Sequence, residues 1–244
     1  MERSTYDRMN SLEAEHWWFV GRRSVITAAI KRLVALPKDP SLLEAGCGTG
    51  GNIDMLKSVG TLRAFEFDAG ARAVAENKTG LVVPFGALPD DIPHANETFD
   101  LICLFDVLEH VEKDKESLAA LATRLKPQGR ILLTVPAYPW LWSHHDETHH
   151  HFRRYTKNSL TEAAKAAGLV VETTFSFNVL LFPLILLIRF LKRLTGSTAE
   201  DDKMPSPVVN TILKSTFSAE RHLVGRVPMP VGVSLGAVLK LETE

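Results

Sequence analysis

The chain has 244 residues, 45% of them hydrophobic and 23% charged, inside the ordinary globular range and long enough for one large domain with an elaboration. Its 28 basic residues oppose 29 acidic ones for a net charge of -1, which leaves no chain-wide basic field of the kind that nucleic-acid binding uses. The two cysteines, Cys47 and Cys103, suit no disulfide framework, and the charged start MERSTYDRMNSLEAEHWWF lacks a secretory apolar core, so a cytoplasmic location is expected.

Residues 1–40 read as a helical cap, in which HWWFVGRR forms an amphipathic stretch that packs Trp17 and Trp18 on a sheet. Short apolar runs follow at Ser41–Ala45, Leu62–Phe67, Leu81–Pro84, Leu101–Phe105 and Ile131–Val135. Helical spacing appears between them at Asn52–Ser58, Ala69–Asn77 and Val107–Leu125, and later at Lys157–Ala167. This alternation predicts a doubly wound, mostly parallel α/β sheet whose strands are covered on both faces. The turn KPQG, Lys126–Gly129, precedes the fifth strand, and Val170–Phe177 and Val233–Leu241 supply the sixth and seventh.

More than fifty residues separate those last two strands, too many for a loop without structure of its own. They open with VLLFPLILLI, Val179–Ile188, well short of the roughly 20 apolar residues of a membrane span, and Arg189, Lys192 and Arg193 follow at once. After the polar linker GSTAEDDKMPSP a second helical stripe covers Val208–Val224. The expected organisation is a core over 41–178, an apolar helical insert over 179–230 shaped as a hairpin, and a closing strand over 231–244. The insert is open to three roles: lid, homodimer interface, or peripheral contact with the inner face of a membrane.

LLEAGCGTGGN, Leu42–Asn52, packs four glycines into six positions behind the first apolar run. Glycines permit a tight strand-to-helix turn and let a ligand approach bare backbone. Gly46, Gly48 and Gly51 match GxGxxG, a pattern shared by nicotinamide and S-adenosylmethionine enzymes. Glu44, two residues before the first glycine, would repel a pyrophosphate and attract the cationic amino group of S-adenosylmethionine. Glu66 closes the second strand 20 residues past Gly46, where a carboxylate can hold ribose hydroxyls of either cofactor.

In combination, LLEAGCGTG, FEFDAGARAVAE, FDLICLFDVLEHV, LKPQGRILLTVP and the preceding HWWFVGRR resemble the class I S-adenosylmethionine-dependent methyltransferases, especially the type-11 group and its ubiquinone-pathway O-methyltransferase relatives. The resemblance covers roughly residues 15–168. It implies a Rossmann-like methyltransferase fold with a seven-stranded sheet. It further implies that Glu44, Gly46, Cys47 and Gly48 surround the methionine part of the cofactor, that Glu66 holds the ribose, and that Phe67, Leu104 and Phe105 flank the adenine. Members often carry an acid after a glycine beyond the third strand, whereas here Gly86 precedes Ala87 and Leu88. The adenine amino group is then left to Asp90, Asp91 or the backbone at Ala87 and Leu88.

In DVLEHV, Asp106 and Glu109 have the spacing of a helix-capping pair, while His110 lies near the expected methyl position and is a side chain suited to taking a proton near neutral pH. WLWSHHDETHHHFRRY, Trp140–Tyr155, holds five of the nine histidines and follows a strand, so it too should overlie the crevice. Three readings compete for it: a metal site, a solvated loop, and a substrate pocket. The last is preferred, with His145, Asp146 or His149 as base, Trp140 and Trp142 as an apolar wall, and Arg153 or Arg154 for an anionic group; no metal is expected. Arg22 or Arg23 would reach the cofactor carboxylate.

These readings converge on methyl transfer from S-adenosylmethionine to a small-molecule or lipid-linked acceptor, with oxygen the favoured atom and His110, His145 and Asp146 as catalytic candidates. Two alternatives stand beside it: an NAD(P)-dependent oxidoreductase, and a non-catalytic membrane-associated binding protein that keeps the cofactor fold.

Overall fold

In the computed structural model, residues 3–195 and 203–242 are described. Strand β1 (Ser41–Ala45) shows why the core sits on both faces of the sheet: Leu42 and Leu43 are both fully buried, yet successive side chains point to opposite sides. Leu42 joins a cluster with Ile26, Ile30, Leu62, Leu101 and Val238, whereas Leu43 joins Ile102, Leu133, Leu118, Leu160 and Leu239. The same split runs through β2 (Thr61–Phe65), β3 (Phe99–Phe105) and β4 (Leu125–Pro136).

The sheet order is β2-β1-β3-β4-β6-β5, with β5 at Leu169–Phe177 and β6 at Ser234–Leu241. β1 to β4 pair in parallel, and β6 is antiparallel to both β4 and β5. The sheet therefore has six strands, one fewer than expected. Leu81–Pro84 runs beside β2 but makes only an isolated bridge at Glu66 and Phe85. Pro84 has no N-H for a ladder, and its carbonyl accepts one bond, from Glu66 N at 3.3 Å.

Two other local expectations change. KPQG is not a turn before the strand; Lys126–Gly129 lies inside β4, where the pairing register with β3 slips between Phe99 and Leu101. Gly129 permits the irregularity, since a Cβ there would lie 2.7 Å from the Phe99 carbonyl oxygen. The helix expected over Val107–Leu125 is broken into a single 3-10 turn, Leu108–His110, and a later helix, Asp114–Ala122, with Val111 extended between them.

The helices, in chain order, are α1 (Arg3–Leu12), α2 (Trp17–Leu33), α3 (Ile53–Lys57), α4 (Ala69–Thr79), α5 (Asp114–Ala122), α6 (His144–Thr148), α7 (Lys157–Ala166), α8 (Phe182–Thr195) and α9 (Pro207–Ala219). Both α8 and α9 fall between β5 and β6, and part of the polar linker joining them lies outside the described residues. They do not make a self-contained hairpin. α9 packs along α2, where Gly21 has no side chain and the Phe217 ring fills the space, 2.4 Å from where a Cβ would stand. Trp17 meets the edge of the same ring at 6.0 Å between centroids, and its N-H donates to Asn210 Oδ1 at 2.8 Å. Among the described residues no helix is long and apolar enough to cross a membrane.

Glu220 anchors the whole α8–α9 segment to the sheet. Its fully buried carboxylate accepts the N-H groups of Asn178, Val179 and Leu180 at 2.7, 2.7 and 2.8 Å, just beyond the end of β5. Replacing it by alanine leaves three donors without their acceptor. We expect Glu220→Ala to lower unfolding free energy by at least about 3 kcal/mol, read from the urea midpoint at unchanged slope.

Candidate active site

A cavity of about 460 Å³ opens at the carboxyl ends of β1, β2 and β3. Its floor is the glycine turn, where Gly46, Gly48 and Gly50 take φ of +72°, +55° and +84°, a left-handed backbone that only glycine adopts freely. The turn hangs on β2 through Gly46 N-H and Cys47 N-H, which both donate to the Phe65 carbonyl at 2.9 and 3.1 Å. A Cβ at Gly48 would meet no atom within 4 Å, so the space beside this backbone is open.

Glu66 stands across that floor with its carboxylate held by three donors. Oε2 accepts Gly48 N-H at 2.9 Å, and Oε1 accepts Asp68 N-H at 3.0 Å and the Tyr6 hydroxyl at 3.3 Å. Tyr6 belongs to α1, which also places Met9 on the cavity wall, with Glu13 following just after it. Glu13 accepts the Thr49 hydroxyl at 3.1 Å and pairs with Lys78.

Glu44 lies behind the turn rather than on the cavity wall, 1% exposed. Its Oε1 accepts Asn52 Nδ2 at 2.9 Å, while Oε2 is buried with no hydrogen-bond partner. Burial pushes its carboxyl up to about 7 against the downward pull of Asn52 and Arg22. Arg22 lines the cavity and pairs with Asp106 at 2.6 Å, its guanidinium 5.0 Å from the Trp18 ring. Asp106 itself sits at φ +56°, a strained backbone for a non-glycine residue at the mouth of β3. Arg23 also lines the cavity but donates to the Glu13 carbonyl at 2.6 Å.

His110 enters at the far end with Val111, Glu112 and Phe152. Burial holds its imidazole neutral, down to about 3, with His151 and His149 pushing the same way. The histidine loop is folded around Asp146, not around the cavity. Asp146 is fully buried, with Oδ1 on Arg154 Nε at 2.7 Å and His151 Nδ1 at 2.9 Å, and Oδ2 on Arg154 Nη2 at 2.9 Å and Ser143 N-H at 2.8 Å. Burial opposes ionisation there, but the His151 and Arg154 bonds hold the carboxyl well below the usual range. Arg153 reaches the carbonyls of Val111 and Glu112 at 2.9 and 2.8 Å, clipping the loop to the segment after β3.

Of the residues singled out in the sequence, Gly46, Cys47, Gly48, Glu66, Phe67, Ala87, Leu88, Phe105 and His110 share the cavity wall. Glu44, Leu104, His145 and Asp146 do not line it, and Leu104 is wholly in the core. Phe67 is 66% exposed, with its ring centroid 5.7 Å from that of Phe85. The backbones of Ala87 and Asp91 bond each other at 2.7 Å in both directions. Sequence reasoning missed Tyr6, Glu13, Asn52 and Phe152, which arrive from three segments; Tyr6 and Glu13 carry no motif, while Asn52 closes the glycine turn and Phe152 belongs to the histidine-rich loop, so these two could have been found.

Because Glu44 has a raised carboxyl, the folded state holds a proton that the unfolded state has released between about pH 4.5 and 7. Its contribution to stability is thus complete below that window and is lost as pH rises through it. His110, lowered from 6.5 to about 3, acts in the opposite sense, its contribution being lost as pH falls. The difference between the wild type and Glu44→Gln isolates the first effect: wild-type stability should decline relative to the variant from pH 5 to 8, measured as urea midpoints across the range.

The cavity suits S-adenosylmethionine. The open space at Gly48 admits a ligand against backbone, Glu66 can accept ribose hydroxyls in place of the Tyr6 hydroxyl, and Glu44, shut away behind the turn, meets the cavity only through Asn52, which lines it. Comparison with known proteins agrees. Residues 19–174 match a family model described as a methyltransferase domain. An uncharacterized protein of Synechococcus sp. is 35% identical over 107 residues, 40% of this chain and 26% of that protein. A Mycobacterium tuberculosis protein named as a probable S-adenosylmethionine-dependent methyltransferase is 25% identical over 126 residues, 51% of this chain and 44% of that protein. The chain thus matches less than half the length of these relatives. Among solved structures, a complex between the Haloferax volcanii Trm112 methyltransferase activator and a methyltransferase gives a TM-score of 0.62 at 18% identity, covering 99% of this chain and 96% of that one. A TehB-like S-adenosylmethionine-dependent methyltransferase of Corynebacterium glutamicum gives 0.53 at 19% identity, covering 88% and 87%. The fold, the glycine turn and the match across 19–174 together place this chain in the methyltransferase-domain family, with S-adenosylmethionine as its cofactor.

Proposed function

We propose that the protein transfers a methyl group from S-adenosylmethionine to an oxygen of a small or lipid-like acceptor that enters at the His110 end of the cavity. The observation that carries this reading is the arrangement of one cavity with Glu66 and the bare Gly48 backbone at one end and a neutral, buried imidazole at the other. The bound cofactor supplies an electrophilic methyl. The chain's own part is alignment and proton removal: Glu66 and the turn fix one reactant, the Arg22–Asp106 pair with Phe105 closes the middle, and His110 accepts the hydrogen of the acceptor hydroxyl. The imidazole is uncharged and so free to receive the proton, and because burial disfavours its charged form the proton is passed on to solvent rather than kept.

The acceptor's apolar character is supported by an exposed apolar surface formed by α8 and Trp140. Trp140 is 56% exposed and meets Phe182 of α8 at 6.4 Å between centroids, and along α8 Leu187, Phe190, Leu191 and Leu194 are exposed. Arg189 from the same helix donates to the Leu141 carbonyl. This continuous apolar face suits peripheral contact with a lipid surface that presents the acceptor.

Calorimetric titration with S-adenosylhomocysteine should show one site per chain, and Glu66→Ala should weaken it about 10- to 100-fold through loss of the ribose acceptor. NAD binding in place of S-adenosylhomocysteine would overturn the proposal. In flotation with anionic vesicles, wild type should rise with the lipid and Leu187→Glu with Phe190→Glu should stay behind; equal behaviour of the two proteins would remove the lipid-surface reading.

A further inference from the structure

Beyond the cavity's end lies a cluster that the proton-transfer reading does not explain. Glu109 and His110 come from the 3-10 turn after β3, and His151 comes from the loop after α6. One donor atom from each lies within 4.8 Å of the other two. Glu109 is 1% exposed and its Oε2 has no hydrogen-bond partner. A carboxylate oxygen buried in that way costs free energy unless some cation or donor meets it.

One imidazole beside it, His151, is fixed so as to present a lone pair. His151 has its Nδ1 on Asp146 Oδ1, so the tautomer that donates this bond leaves Nε2 free of hydrogen. Asp146 cannot turn away, because Arg154 grips both of its oxygens and Ser143 N-H holds Oδ2. A carboxylate that fixes the back of a histidine in this manner is the usual outer partner of a metal-bound imidazole. The His110 ring stands edge-on to His151, 4.6 Å between centroids. Backbone bonds keep the two segments in register, since Phe152 N-H donates to the Glu109 carbonyl at 2.8 Å. The cluster therefore gathers one carboxylate and two imidazoles, each able to turn one lone pair inward.

We propose that Glu109, His110 and His151 bind one divalent transition-metal ion of the zinc type, with Asp146 as the positioning residue for His151. Two nitrogens and one carboxylate oxygen are the donor set that such ions favour over magnesium or calcium. Bonds of about 2.1 Å in a tetrahedron would bring the donors to roughly 3.4 Å from one another, a contraction that side-chain rotation can supply. Three protein ligands leave a fourth position, and His110 places it toward the cavity. The consequence for catalysis rests on the proposed function: an acceptor oxygen in that position would bind the ion and release its proton to solvent, while His110 serves as ligand in place of base.

The test uses the full chain stripped of metal with a chelator. Zinc titrated by calorimetry should bind one ion per chain, and cobalt(II) should develop visible ligand-field absorption. Glu109→Gln and His151→Asn should each weaken zinc at least tenfold and remove the cobalt spectrum, and Asp146→Asn should weaken zinc less. S-adenosylhomocysteine affinity of Glu109→Gln should stay within about threefold of wild type, which reports an intact fold and separates this result from the cofactor reading. Absence of zinc binding by wild type would overturn the proposal. So would unchanged binding by Glu109→Gln and His151→Asn, or binding lost only on replacing His145 and His149, which would assign the ion to the outer part of the loop.

Discussion

The site depends on a left-handed backbone. At Gly46, Gly48 and Gly50 the chain leaves β1 with φ values that place two N-H groups on the Phe65 carbonyl and a third on Glu66. Any side chain at these positions would meet a conformational penalty, and at Gly46 it would also press on Val107, 2.9 Å from the ideal Cβ. Because the turn is fixed to β2 in this way, the end of β1, the Glu66 carboxylate and the start of α3 form one rigid unit. The rest of the site is mounted on it.

Around that unit the protein buries several carboxylates and gives each a different solution. Glu220 meets three backbone donors, Asp146 meets a guanidinium, an imidazole and an N-H, and Glu66 meets two N-H groups and a phenol. Glu44 and Glu109 are different, since each retains an oxygen without a partner, and burial raises both. The fully satisfied acids sit where they hold segments together. The two incompletely satisfied ones lie off the cavity wall beside residues that do line it, Glu44 against Asn52 and Glu109 next to His110.

The sequence was legible where chemistry was local. Alternating apolar runs located β1 to β6, and the glycines with Glu66 located one wall of the cavity, because both signals need only a few adjacent residues. Legibility failed where a tertiary partner decides. Leu81–Pro84 looks like a strand by composition, yet Pro84 lacks the N-H that a ladder would use. Val107–Leu125 has helical spacing, but Asp106 is drawn to Arg22 of α2 and the chain makes one tight turn before α5 begins. Asp146 reads as a catalytic base beside histidines, and its engagement with Arg154, eight residues on, depends on how the loop closes. Tyr6 reaches the cavity from a segment whose sequence carries no sign of it, and Phe152 is the one residue of the histidine-rich loop that lines it.

The cavity wall is not uniformly stable. Among the described side chains of α1 only Leu12 is buried, so this helix is held to the body by polar contacts of Tyr6 and by Glu13 just after it, and it shares little of the core. Segments of that kind open with far smaller free energies than the sheet they cover. A stretch of the cavity wall is thus built from a short helix that contributes little to the core, and its amides should exchange with solvent sooner than those of the strands beneath it.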